Sequence, residues 1–196
     1  LNAVPLPPAQ PPRDFNAPVL EIVFLGEVGT RKGVDVLIPA LAKIADLPNW
    51  RMTIAGNGNI ERYKAEAAAL GIAERVQFTG WLNPQAAQEI LQRGHILVLA
   101  SRQENLPMSI LEAMAYGLVV VSTPVGAVPQ VLKDGESGYL VAMGDEDALA
   151  AALREALLNP SRSAAMAAKA KRFFAENLTI EAYIPRLVRI YQELIR

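Results

Sequence analysis

Apolar positions along this chain follow two rhythms. Short, nearly continuous apolar runs alternate with longer stretches in which apolar residues recur three or four positions apart, and turn-forming residues separate the two. The runs predict strands at Val19–Leu25, Arg51–Ala55, Val76–Thr79, Ile96–Leu99 and Val119–Val121, with a last short one at Tyr139–Val141. Runs apolar on both faces suit the interior of a parallel sheet covered by crossover helices. The helical rhythm appears at Val36, Leu37, Ala40, Leu41 and Ile44, again from Asn59 to Leu70, and at Ile110, Leu111, Met114 and Ala115. Gly71 and Gly117 end the last two where a left-handed residue costs least. Asn83-Pro84 reads as a cap and first turn, Pro107 as the opening of the helix before Gly117, and Ala148–Leu158 as a further helix. Strand followed by helix, repeated, predicts a doubly wound α/β fold with a parallel sheet of about six strands and helices on both faces.

The two ends of the chain differ from this middle. Residues 1 to 18 hold Pro5, Pro7, Pro8, Pro11, Pro12 and Pro18, which predicts an extended linker outside the core. Residues 19 to 178 form the expected domain. In the segment 179 to 196, Ile180, Tyr183, Ile184, Leu187, Val188, Tyr191, Leu194 and Ile195 make one helical apolar stripe.

Composition narrows the chemistry. A chain of 196 residues that is 52% hydrophobic can bury one substantial core. A net charge of −1 supplies no basic field for nucleic acid. The chain has no cysteine, which excludes disulfides and thiolate catalysis, and its one histidine, His95, excludes a histidine-rich metal site. No run of about 18 apolar residues is present, nor a secretory signal pattern, so a soluble, cytoplasmic protein is expected.

Two carboxylates bracket the best candidate for function. Glu104 lies in the loop after the strand at Ile96–Leu99, and Glu112 lies in the second turn of the next helix, seven residues between them. On one continuous helix they would stand about 12 Å apart. A non-helical loop before Pro107 lets the chain fold back and aim both at one ligand. Free amides near Pro107 to Ser109 favour an anion such as phosphate. Spacing alone leaves two readings open: a sugar-nucleotide site, or a solvated Glu104 beside a surface-paired Glu112. The glycine-bearing turn from Gly26 through Arg31 and Lys32 to Gly33 stands where α/β folds bind phosphates. Gly56-Asn57-Gly58 is a weak G-x-G only. The Asp145-Glu146-Asp147 run precedes a helix, where acidic groups cap and complement the dipole, so no metal is expected.

From Val19 to Ile195 these motifs, in this order, resemble the C-terminal half of retaining glycosyltransferases with the two-domain GT-B fold, of the family 4 kind. The resemblance implies one Rossmann-like half of that fold. It implies that Glu112 holds the ribose hydroxyls of a UDP- or GDP-sugar and that Glu104 holds hydroxyls of the sugar. Backbone at Asn105, Leu106, Pro107 and Met108 would approach sugar and phosphate, and Lys32, with Arg31, would neutralise the diphosphate. Gly26, Gly33, Gly56, Gly58 and Gly126 would let the backbone come close to the donor, and Trp81 or Leu82 would flank the base, unless Trp81 is plain packing. No metal or other cofactor is implied. The resemblance also implies an upstream second domain that binds a glycan or lipid-linked acceptor and meets the last helix. The whole protein would then work at the inner face of a membrane, while the fragment alone turns over nothing.

The chain departs from the family at four places. Glu27 stands where an Arg belongs, Ala127 and Gln130 alter a Gly-Gly-x-Pro-Glu turn, and His95 replaces an Asp. A carboxylate about 5 Å from a phosphate charge costs on the order of 3 kcal/mol at an effective dielectric of 20. Either Glu27 turns away and Arg31 substitutes, or donor binding is rearranged. Two alternatives stand beside the transferase: a GT-B-fold epimerase or phosphorylase, and a non-catalytic binding module in which these departures are decay.

Overall fold

The computed structural model describes residues 4–8 and 11–194. Six parallel strands form one sheet: β1 (Leu20–Leu25), β2 (Trp50–Ala55), β3 (Val76–Gly80), β4 (Ile96–Leu99), β5 (Val119–Ser122) and β6 (Tyr139–Leu140). Their order across the sheet is β3-β2-β1-β4-β5-β6. All four residues of β4 and of β5 are buried, as doubly covered strands require. The chain therefore steps outward from β1 to β3, then returns to lay β4 on the other side of β1. At that reversal the crossovers after β1 and β4 run in opposite directions across the sheet, and a crevice opens at the carboxyl ends of the two strands.

The helices are α1 (Val34–Ala42), α2 (Ile60–Ala69), α3 (Pro84–Arg93), α4 (Met108–Tyr116), α5 (Val128–Val131), α6 (Glu146–Leu158), α7 (Pro160–Asn177) and α8 (Ile180–Leu194). Asn83 and Asp145 cap α3 and α6 through their side chains, accepting from the N–H groups of Ala86 and Ala148, and Gly117 ends α4 at φ 73°. Pro107 sits one step earlier than expected, as the extended residue before α4. The first helix stops at Ala42, so Ile44 is buried from the following turn rather than from the helix.

The described residues of the proline-rich segment form no helix, but they are not all outside the core. Val4 is buried and donates its N–H to Leu178, and Phe15 is buried against the edge of the His95 ring. Between them, Arg13 donates to the carbonyls of Leu91, Gln92 and Tyr116, at the carboxyl ends of α3 and α4 where a cation is favoured. Burial lowers the Arg13 pKa to about 10. Residues 1–3 and 9–10 of the expected linker, and Ile195 of the apolar stripe, lie outside the described residues. In α8, Ile184, Val188 and Tyr191 stand exposed. No helix among the described residues is long and apolar enough to cross a membrane.

His95 has a structural place. Its Nδ1 accepts from the Glu21 N–H, and its own N–H and carbonyl join β1 to β5. Accepting at Nδ1 requires a neutral ring, and burial, aided by the nearby Arg13, lowers its pKa.

Candidate functional site

The crevice between β1 and β4 is built by two loops that press on each other. After β1, Gly26 leads through Glu27 into a single 3-10 turn, Thr30–Lys32, closed by Gly33. A Cβ at Gly33 would stand 1.9 Å from the Ala100 carbonyl oxygen, so only glycine lets the first loop touch the end of β4. Against this wall the Lys32 ammonium meets Glu104 Oε1 at 2.5 Å, and both side chains are nearly buried, at 12% and 10% exposure. Arg31 bonds Glu27 at 2.8 Å and lies 3.6 Å from the same Glu104 oxygen. Bonding to Glu27 raises the Arg31 pKa, so its charge is fixed.

Two cations and two carboxylates thus form one neutral cluster at the switch point. Glu104 Oε1 is buried, and its charge is met by the Lys32 ammonium and, farther off, by the Arg31 guanidinium. Arg31, Glu104, Gln103 and Asn105 line an open cleft of about 520 Å³. Glu27 faces a second cleft of about 340 Å³, with Gly26, Gly56, Asn57, Trp81 and Leu82 at the ends of β1, β2 and β3. Trp81 is 68% exposed, so plain packing does not explain it. Glu112 lines a third cleft, of about 440 Å³, with Met108, Tyr116 and the segment Pro5 to Pro8. Burial raises its carboxyl pKa. The structure therefore brings Lys32, Arg31 and Glu104 together and sets Glu112 apart, one turn along α4 from its exposed first residue, Met108.

The glycines let neighbouring loops pack closely. Cβ atoms at Gly56 and Gly58 would strike the carbonyl oxygens of Gly26 and Val28, and one at Gly126 would strike those of Glu104 and Asn105. Their close approaches are to neighbouring loops, and Ala127 reinforces the last by donating its N–H to Asn105 at 2.7 Å. Gly26 lies over the Lys32 stem, where a Cβ would come within 3.4 Å. Leu106 and Pro107 are buried, and Pro107, lacking an N–H, offers no amide to a ligand. Sequence reasoning missed Arg102 and Asp35, which join the two loops from 67 positions apart. No local spacing carries such a signal. Among the described residues no group of three or more His, Asp or Glu is placed to hold a metal ion.

Residues 11–173 match the family model described as glycosyl transferases group 1. A GDP-mannose-dependent alpha-(1-6)-phosphatidylinositol monomannoside mannosyltransferase of Mycolicibacterium smegmatis is 30% identical over 165 residues, covering 80% of this chain and 43% of that protein. Among solved structures, Anabaena HepE in complex with UDP superposes with a TM-score of 0.83 at 19% identity, over 90% of this chain and 50% of that one. The C-terminal domain of a glycosyl transferase group 1 family protein from Francisella tularensis gives 0.79 at 22%, over 89% of this chain and 96% of that one. The chain spans about a third to a half of the length of the curated relatives it matches.

Proposed function

This chain belongs to the group 1 glycosyl transferases, and from that premise we propose that it is the donor-binding domain of a retaining GT-B enzyme. The enzyme moves a sugar from a UDP- or GDP-sugar to a glycan or lipid-linked acceptor. The observation that carries this reading is the Lys32–Glu104 contact at the carboxyl ends of β1 and β4, where an open α/β sheet binds its ligand. HepE, a fold neighbour, was solved with UDP, and a relative is named as GDP-mannose-dependent, so both bases stay in the proposal.

The diphosphate lies against Lys32 and the first amides of α4, with Arg31 as the second cation once Glu27 releases it. Glu104 accepts from sugar hydroxyls at the Arg31–Asn105 cleft that it lines. Glu112 accepts from the ribose, which requires the donor to pass over the mouth of α4 between two clefts. As the bond from the anomeric carbon to the diphosphate oxygen breaks, the acceptor oxygen bonds to that carbon from the same face, and the acceptor proton leaves with the phosphate. No residue of this chain acts as a covalent nucleophile. Acceptor contacts belong to a second domain, and the whole enzyme works in the cytoplasm at the inner face of a membrane.

Calorimetric titration of the 196-residue chain with UDP, GDP and ADP tests this reading. UDP or GDP should bind below millimolar concentration while the chain alone transfers no sugar. Silence toward all three at millimolar concentration supports a non-catalytic module instead, and sugar transfer by the isolated chain contradicts the assignment of acceptor residues elsewhere.

A further inference from the structure

A second charged contact ties the same two loops together just outside the candidate site. The Arg102 guanidinium meets the Asp35 carboxylate fork to fork, Nη1 to Oδ1 and Nη2 to Oδ2, each at 2.7 Å. Nη1 also donates to the Thr30 carbonyl, and the Arg102 backbone N–H donates to the Arg31 carbonyl at 2.9 Å. One residue of the β4 loop thus holds the segment from Thr30 to Asp35, which carries Arg31 and Lys32. Glu104 follows two residues later. Asp35 stands in the first turn of α1, where the helix dipole also favours its charge.

We propose that Arg102 is a positioning residue for the donor site, a clamp that fixes the two loops so that Glu104 and Lys32 reach one ligand together. The proposal rests on the donor-binding reading. Both clamp side chains are partly exposed, at 38% and 23%, and pairs of that kind add little to global stability. A planar guanidinium forked onto a carboxylate sets direction as well as distance, which a lysine cannot do. The clamp therefore acts on geometry more than on folding. It touches no ligand itself and works through the Lys32–Glu104 contact.

The test combines a double-mutant cycle with amide hydrogen exchange on the 196-residue chain. Arg102→Ala and Asp35→Asn should each weaken UDP or GDP binding on the order of tenfold, with melting temperature moved by only about 2–4 °C. The double variant should match Arg102→Ala alone, because once the guanidinium is gone Asp35 has no clamp contact left to lose. Arg102→Lys should recover only part of the affinity. Without nucleotide, both single variants should speed exchange at residues 30–35 and 101–106 and leave β1 and β4 unchanged. Additive losses in the cycle, or full recovery by lysine, overturn the clamp. Absence of nucleotide binding by the unmodified chain defeats the donor reading, and exchange then decides the clamp alone: unaltered rates in both loops refute it.

Discussion

Glu104 and Lys32 are nearly buried and opposite in charge, so each makes the other tolerable. Breaking a buried pair from one side strands the remaining charge at a cost of about 3–5 kcal/mol. Lys32→Met should therefore destabilise the chain by an amount of that order in urea unfolding, and adding Glu104→Gln should restore most of it. Glu112 behaves differently, since burial disfavours its charged form. Its raised pKa makes the charge a liability to folding above that pKa, so Glu112→Gln should leave neutral-pH stability unchanged or higher. The same variant should lose about 2–4 kcal/mol of nucleotide affinity, measured by calorimetry. His95 sets a pH limit on the fold. Its folded pKa lies below the unfolded value of about 6.5, so the unfolded chain binds the extra proton. Stability should fall as pH drops through about 6.5 and level off below the folded pKa, and His95→Gln should flatten that slope in unfolding titrations across the range.

At the scale of elements, the glycines decide how loops pack. Gly33 combines φ 74° with a Cβ position 1.9 Å from a backbone oxygen, whereas Gly144 has φ 78° with nothing within 4 Å. Gly144→Ala should cost about 1–2 kcal/mol, the price of a left-handed residue, while Gly33→Ala should leave little folded protein by circular dichroism. The strands were legible in the sequence because buried runs such as Ile96–Leu99 and Val119–Val121 admit few other placements. The caps at Asn83 and Asp145 were legible for the same local reason. Lys32 and Glu104 could be named but not joined, since they meet only through the reversal between β3 and β4. The Arg102–Asp35 contact spans the same reversal and left no trace in spacing. Val4 and Phe15 were hidden among prolines, whose extended preference says nothing about which side chains find a core.

Across the whole molecule, the amino-terminal segment is a working part of the domain. Arg13 holds the ends of α3 and α4 together, and the segment from Val4 to Pro8 borders the cleft that contains Glu112. The sheet reversal places the neutral cluster of Glu27, Arg31, Lys32 and Glu104 at the carboxyl ends of the two central strands, β1 and β4. A separate groove of about 490 Å³, lined by Glu21, Arg51, Glu74 and Arg93 among others, contains none of these residues. The two locations give the central claim its sharpest test, a crystal structure of the chain soaked with UDP-glucose and with GDP-mannose. The account predicts the diphosphate against Lys32 at the ends of β1 and β4, the sugar on Glu104 and the ribose within reach of Glu112. A nucleotide bound in the Arg51–Arg93 groove, with the Lys32–Glu104 crevice empty, would contradict it.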